Sequence, residues 1–186
     1  TVTPLERNRV AVSFAVVEGD VAKIQSIAIV GASAFAEKEL VGLFALRSGG
    51  WLTWYTKLDQ YSRQRLTADL ESLRSFYQNQ GYLDFNVDST QVSITPDRTG
   101  IYIAVNITEG EKYTVSDVQV AGKLPVPREE LEKLVLIRPG DVFSRQRLTE
   151  SVKAITDRLG NEGYAFANAN AVPQVDKDKR TVAFTI

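Results

Sequence analysis

A hexapeptide occurs twice in this chain, and that repetition constrains the fold more than any other feature. Ser62-Arg63-Gln64-Arg65-Leu66-Thr67 returns as Ser144-Arg145-Gln146-Arg147-Leu148-Thr149, an offset of 82 residues. The same offset carries Gly81-Tyr82 onto Gly163-Tyr164. It also carries the apolar set Leu66, Leu70, Leu73, Tyr77 onto Leu148, Val152, Ile155, Leu159. A shared hexamer with a shared helical face and a shared terminator marks an internal duplication.

Upstream the offset becomes 91, where Ile24, Ile27, Ile29 and Gly31 match Val115, Val118, Val120 and Gly122. The difference is an insertion in the first copy around Gly49-Gly50-Trp51-Leu52-Thr53-Trp54-Tyr55. The second copy has only Arg138-Pro139-Gly140-Asp141 there. A partial copy opens the chain: Val10, Val12, Phe14, Val16 and Glu18-Gly19 match Ile101, Ile103, Val105, Ile107 and Glu109-Gly110. Residues 1–19 thus read as the final strands of a preceding unit. Residues 20–110 read as one whole unit, and 111–186 as a second that stops early in its last strand.

Each unit reads as β-α-α-β-β. The first strand, Ile24 to Val30 or Val115 to Val120, ends at a glycine free to take positive φ. A first helix runs over Ala36–Ala45 with Leu40, Leu43 and Phe44 inward. In the second copy Pro127 suits a first turn, and Leu131, Leu134 and Val135 form the stripe. The second helix begins after Ser62 or Ser144 as N-cap and ends at Gly81 or Gly163 as left-handed cap. Two strands follow, Phe85–Ile94 with Ile101–Thr108, and Phe166–Val175 with Thr181–Ile186. The fold class is α+β: tandem units, each a three-stranded mixed sheet with two helices on one face. A right-handed crossover sets the first strand parallel beside the last, giving the order first–last–middle. The middle strand is then an edge.

That edge carries an irregularity. Phe85 and Val87 are apolar at odd positions, Val92 and Ile94 at even ones, with Asp88-Ser89-Thr90-Gln91 between. A period of two that changes parity predicts a β-bulge within Asp88–Gln91. No Lys or Arg lies between Phe85 and Ile94. The backbone there could accept an extended segment by β-augmentation, with outward N–H groups expected at Ser89 and Gln91. The alternative is that the bulge only protects the edge from aggregation. The insertion bears both tryptophans, Trp51 and Trp54, which read either as partner anchors or as packing within the array. Gly19 and Gly110, at the short junctions, are the hinge candidates.

Composition removes several function classes. His and Cys are both zero, so the usual general base, thiolate nucleophiles, zinc–thiolate sites and disulfides are absent. Lys+Arg total 22 against 23 Asp+Glu, so no basic excess favours nucleic acid or anionic lipid. Asp176-Lys177-Asp178-Lys179 lacks the glycine and distal glutamate of a calcium loop. Glu37, Glu39, Asp69 and Glu71 sit on helices with no cleft to make an acid/base pair. No metal, cofactor or enzymatic activity is expected. Met is zero too, so the chain reads as a piece of a longer protein. No apolar run is long enough to span a bilayer as a helix.

The repeated β-α-α-β-β unit with Gly-Tyr after its second helix resembles POTRA domains. Thr3-Pro4-Leu5-Glu6-Arg7-Asn8-Arg9-Val10, Asp69-Leu70-Glu71-Ser72-Leu73-Arg74-Ser75, Asp88-Ser89-Thr90-Gln91-Val92, Thr95-Pro96-Asp97, Gly100-Ile101-Tyr102 and Val105-Asn106-Ile107-Thr108-Glu109-Gly110 are similar to the periplasmic region of Gram-negative outer-membrane β-barrel assembly proteins. Lys123-Leu124-Pro125-Val126-Pro127 departs from that pattern. The resemblance implies the third and fourth POTRA domains of an insertase, with the tail of the second. It implies a periplasmic location and two partner classes: unfolded outer-membrane β-barrel proteins and accessory lipoproteins, including a β-propeller lipoprotein near Glu18-Gly19-Asp20. It puts client contact on the middle strand, by position at Asp84 to Asp88 and Ile94; together with the edge-strand reading, the candidate contact set is Asp84, Phe85, Asn86, Val87, Asp88, Ser89, Thr90, Gln91, Val92, Ser93 and Ile94. A purely structural spacer without client binding is the competing reading.

Overall fold

A computed structural model describes residues 2–5, 9–12, 22–48, 60–164 and 166–186. Trp51, Trp54, Tyr55 and Gly19 lie outside the described residues. A short hairpin opens the chain, β1 (Val2–Leu5) antiparallel to β2 (Arg9–Val12).

The first repeat runs β3 (Lys23–Val30), α1 (Glu37–Gly42), α2 (Arg63–Asn79), β4 (Asn86–Ile94) and β5 (Gly100–Thr108). The second runs β6 (Thr114–Gln119), α3 (Arg128–Glu132), α4 (Arg145–Asn161), β7 (Val172–Asp176) and β8 (Thr181–Thr185). Both sheets are three-stranded, ordered β3-β5-β4 and β6-β8-β7. In each, the first strand is parallel to the central one and the middle strand antiparallel to it. The order first–last–middle is the one the crossover rule requires.

Alternation along β5 explains the core. Ile101, Ile103, Val105 and Ile107 are buried while Tyr102 is half exposed. The buried set meets Leu40 of α1, Phe44 just after it, Leu66, Leu73 and Tyr77 of α2, and Ile27 and Ile29 of β3. Both helices therefore cover one face of the sheet. In the second repeat Val115, Val182 and Phe184 pack with Ile137 and Phe143, and Leu131 with Ile155, Leu159 and Ile186.

The long helices begin as their sequence implies. The Ser62 hydroxyl accepts from the Arg65 amide and the Ser144 hydroxyl from the Arg147 amide. Gly81 and Gly163 follow their C-termini at φ +102° and +91°. Four elements differ from expectation, β4 by starting at Asn86 so that Phe85 lies outside it. The first helices are shorter, six and five residues. The strand expected at Phe166–Val175 forms only over Val172–Asp176. Phe166 is fully exposed beside an open groove of about 750 Å³ shared with Leu124, Leu159 and Tyr164. Apolar character at Phe166 marks surface there, which is why a reading based on alternation overextended the strand.

Candidate functional site

The register of β4 on β5 breaks between Val87 and Ser89, leaving Asp88 as the extra residue. This is the bulge that the parity change in the sequence requires. The Asp88 carboxylate accepts from the side chains of Asn86 and Thr108, both at 2.7 Å. The Asn106 side-chain Nδ2 donates to the Ser89 hydroxyl at 2.9 Å. The bulge is thus fixed from both strands.

Beyond the bulge the direction of each backbone group follows from one bond. The Thr95 amide donates to the Gly100 carbonyl at 2.9 Å, and the Gly100 amide donates to the Thr95 hydroxyl at 2.9 Å, so the Thr95 N–H points at β5. Antiparallel pairs alternate between bonded and non-bonded. Ser93, Gln91 and Ser89 therefore point their N–H and C=O at β5. Ile94, Val92 and Thr90 point theirs out of the sheet. The Lys23 amide, donating to the Thr99 carbonyl from the other side, has the matching parity. The sequence-based expectation of outward N–H groups at Ser89 and Gln91 is thereby corrected, because the bulge sits at Asp88 and the parity counts from the Thr95–Gly100 pair.

Among the described residues, no hydrogen bond reaches the outward backbone of Thr90, Val92 and Ile94. Their side chains lie on the core side, opposite Val105, Ile103 and Ile101. Val92 is 37% and Ile94 60% exposed, which leaves an apolar step along the margin of the core.

The outer margins of β3 and β6 carry partners. Along β3, the Ile29 amide donates to the Glu37 carboxylate at 3.1 Å and Gln60 bridges Lys23. Along β6, Val115 exchanges bonds with Asp141 and Gly140, and Thr114 bridges Val142. The edge of β7 is blunted by chemistry. Ile186 bonds β6 through both its N–H and C=O, so Phe184 shares that direction and its partner Pro173 faces outward. Proline has no N–H, so β7 offers an outward donor only at Val175.

Phe85 and Asp84 belong to the fold as well as to the expected contact set. Phe85 is buried and stacks on Tyr77 at 4.3 Å between centroids. Asp84 accepts the Tyr113 hydroxyl of the second repeat at 3.0 Å. Gly110 takes φ +72° with its Cα turned onto Asp84, where an added Cβ would come within 3.0 Å of the Asp84 Cβ. On one side of Gly110, Glu109 is tied down by Ser33, Ala34 and Tyr77. On the other, the Tyr113 amide donates to the Gly81 carbonyl at 2.9 Å. The glycine turns a corner between two anchored points.

Three interactions escaped the sequence reading. Glu109 is a buried carboxylate with several donors. Asp69, also buried, accepts from the Ala45 and Leu46 amides at 2.7 and 3.0 Å. Asn79 reaches across to the second repeat. A signal existed for Asp69: it falls in the apolar stripe of α2, and its counterpart Ser151 is also polar. Two further bulges, at Gln25 and Ser116, were written in the three-residue steps Ile24 to Ile27 and Val115 to Val118. Among the described residues no group of acidic side chains gathers as metal ligands.

The family model described as POTRA, surface antigen variable number repeat, matches residues 22–110 and again 113–186. The chain belongs to the POTRA family. Its two POTRA repeats are 34% identical, over the whole chain, to the outer membrane protein assembly factor BamA of Neisseria meningitidis serogroup B, covering 23% of that protein. They are 32% identical over 96% of the chain to BamA of Buchnera aphidicola, covering 29% of it. The chain thus spans about a quarter of the length of these curated relatives. The crystal structure of Haemophilus influenzae BamA POTRA3-5 superposes at a TM-score of 0.76 and 26% identity, over 88% of this chain and 64% of that one.

Proposed function

We propose that this tandem POTRA pair is a periplasmic, non-enzymatic scaffold of an outer-membrane protein, which receives unfolded β-barrel clients by strand addition on β4. In this reading residues 1–19 end a second POTRA domain, and the two repeats are the third and fourth. Accessory lipoproteins dock on the same array, a β-propeller lipoprotein near Glu18-Gly19-Asp20, and Trp51 and Trp54 serve as partner anchors.

One observation carries the client reading. The nine-residue β4 edge has no proline and leaves the backbone of Thr90, Val92 and Ile94 pointing outward without a partner. A guest strand can make up to about six hydrogen bonds there, each contributing about 0.5–1.5 kcal/mol before ordering entropy. Alternate apolar side chains of the guest would extend the core face over Val92 and Ile94. Such binding is weak and tolerant of sequence, which suits clients that share only an alternating pattern. The spacer reading draws on the anchored corner at Gly110, since a fixed joint holds partners at a set distance.

The test is a proline at an outward amide. Val92→Pro removes one outward donor and leaves the β5 ladder intact. Fluorescence anisotropy with a labelled, extended amphipathic peptide should show affinity about three- to tenfold weaker, with the melting temperature nearly unchanged. Unaltered affinity in a folded Val92→Pro protein would favour the spacer.

A further inference from the structure

We infer that Asn79 is the positioning residue that sets the orientation of the second repeat on the first. The first four amides of a helix lack partners within it. At the start of α4, Ser144 takes the Arg147 amide at 3.4 Å. The Gln146 amide is taken at 2.8 Å by Asn79 Oδ1, from the last residue of α2 in the other repeat. The same oxygen accepts the Ser144 hydroxyl at 3.3 Å. Next to it, the Arg145 guanidinium donates to Gln78 Oε1 at 2.8 Å.

The cap of α4 is therefore divided between two domains. A capping bond is directional, so satisfying it fixes where the end of α2 meets the start of α4. The corner around Gly110 supplies a second fixed point, with Tyr82 bridging Lys112 and the Tyr113 amide on the Gly81 carbonyl. A single point permits rotation about any axis, whereas two separated points leave only rotation about the line joining them, which the directional capping bond opposes. The 82-residue offset brings an asparagine to the same place in the second repeat, Asn161, which is exposed.

The chain has no native cysteine, so two introduced cysteines carry the only spin labels. Exposed Lys38 and Lys177, one in each repeat, are suitable sites. Double electron–electron resonance on the K38C/K177C chain should give one narrow distance. Asn79→Ala should at least double the width of that distribution. Asn79→Asp, which keeps the acceptor and adds charge favourable to a helix N-terminus, should restore it. Gln146→Pro removes the same bond from the other partner at a first-turn position that tolerates proline, and should broaden the distribution equally. Combining it with Asn79→Ala should add nothing further. A narrow, unshifted distance in folded Asn79→Ala or Gln146→Pro would overturn the inference. If Asn79→Ala does not fold, Gln146→Pro decides alone.

Discussion

Tyr77 donates its hydroxyl to the Glu109 carboxylate across 2.7 Å, joining the last turn of the long helix to the residue before the inter-repeat corner. Ser33 gives the same carboxylate its amide at 3.0 Å and its hydroxyl, and Ala34 gives its amide at 3.0 Å. Burial by itself would raise the Glu109 pKa, but the hydrogen bonds from Ser33, Ala34 and Tyr77 outweigh it and hold it below its ordinary value. The Tyr77 hydroxyl is pushed up, first by burial and then by Glu109, so it stays a donor. A carboxylate with a lowered folded pKa contributes stability above its unfolded value of about 4.3, and loses it as pH falls through the folded value. Glu109→Gln should therefore be destabilised most above about pH 5, and its deficit against the unmodified protein should shrink as pH falls through the lowered folded value. Urea midpoints across an acid pH series check this. Tyr77→Phe should cost about 1.5–3 kcal/mol at neutral pH.

Asp69 and Ser151 occupy equivalent positions and perform one task. Asp69 holds the Ala45 and Leu46 amides, and the Ser151 hydroxyl accepts the Leu136 amide at 2.8 Å. Both tie the segment after the short helix to the long one. Asp69→Ala leaves the buried Leu46 amide and the partly buried Ala45 amide unpaired and should cost about 2–3 kcal/mol in denaturant titration. Asp69→Ser, borrowing the second repeat's solution, should recover part of that loss.

Gly31 and Gly122 offer a matched pair. Both have positive φ, +99° and +119°. A Cβ on Gly31 would meet the Ile107 carbonyl oxygen at 2.2 Å, whereas one on Gly122 meets nothing within 4 Å. Gly122→Ala should cost only the left-handed penalty of about 1–2 kcal/mol. Gly31→Ala must also shift backbone, and its melting temperature should fall further than that of Gly122→Ala.

The elements most legible in the sequence were those with a period. The α2 stripe, the clean alternation of β5 and the parity change at Asp88 each leave a pattern that one-dimensional reading detects. Phe166 shows the limit, because an isolated aromatic beyond a helix looks the same whether it is covered or bare. Phe85 shows another: alternation counts it as the first residue of the edge, whereas β4 begins at Asn86 and Phe85 is buried against Tyr77, a placement that depends on how far α2 reaches over the sheet. Glu109, Asp69 and Asn79 act through single polar contacts between residues far apart in the chain. Such contacts have no period, so only the folded arrangement reveals them. The direction of the β4 backbone was misjudged at Ser89 and Gln91 for a related reason, since it depends on which pair closes the hairpin.

Amide chemical-shift mapping with an extended amphipathic peptide tests the strand-addition claim most directly. Strand addition should give the largest changes, with slowed exchange, at the amides of Thr90, Val92 and Ile94, and little change along β7. Changes confined to residues outside 84–94 would contradict it.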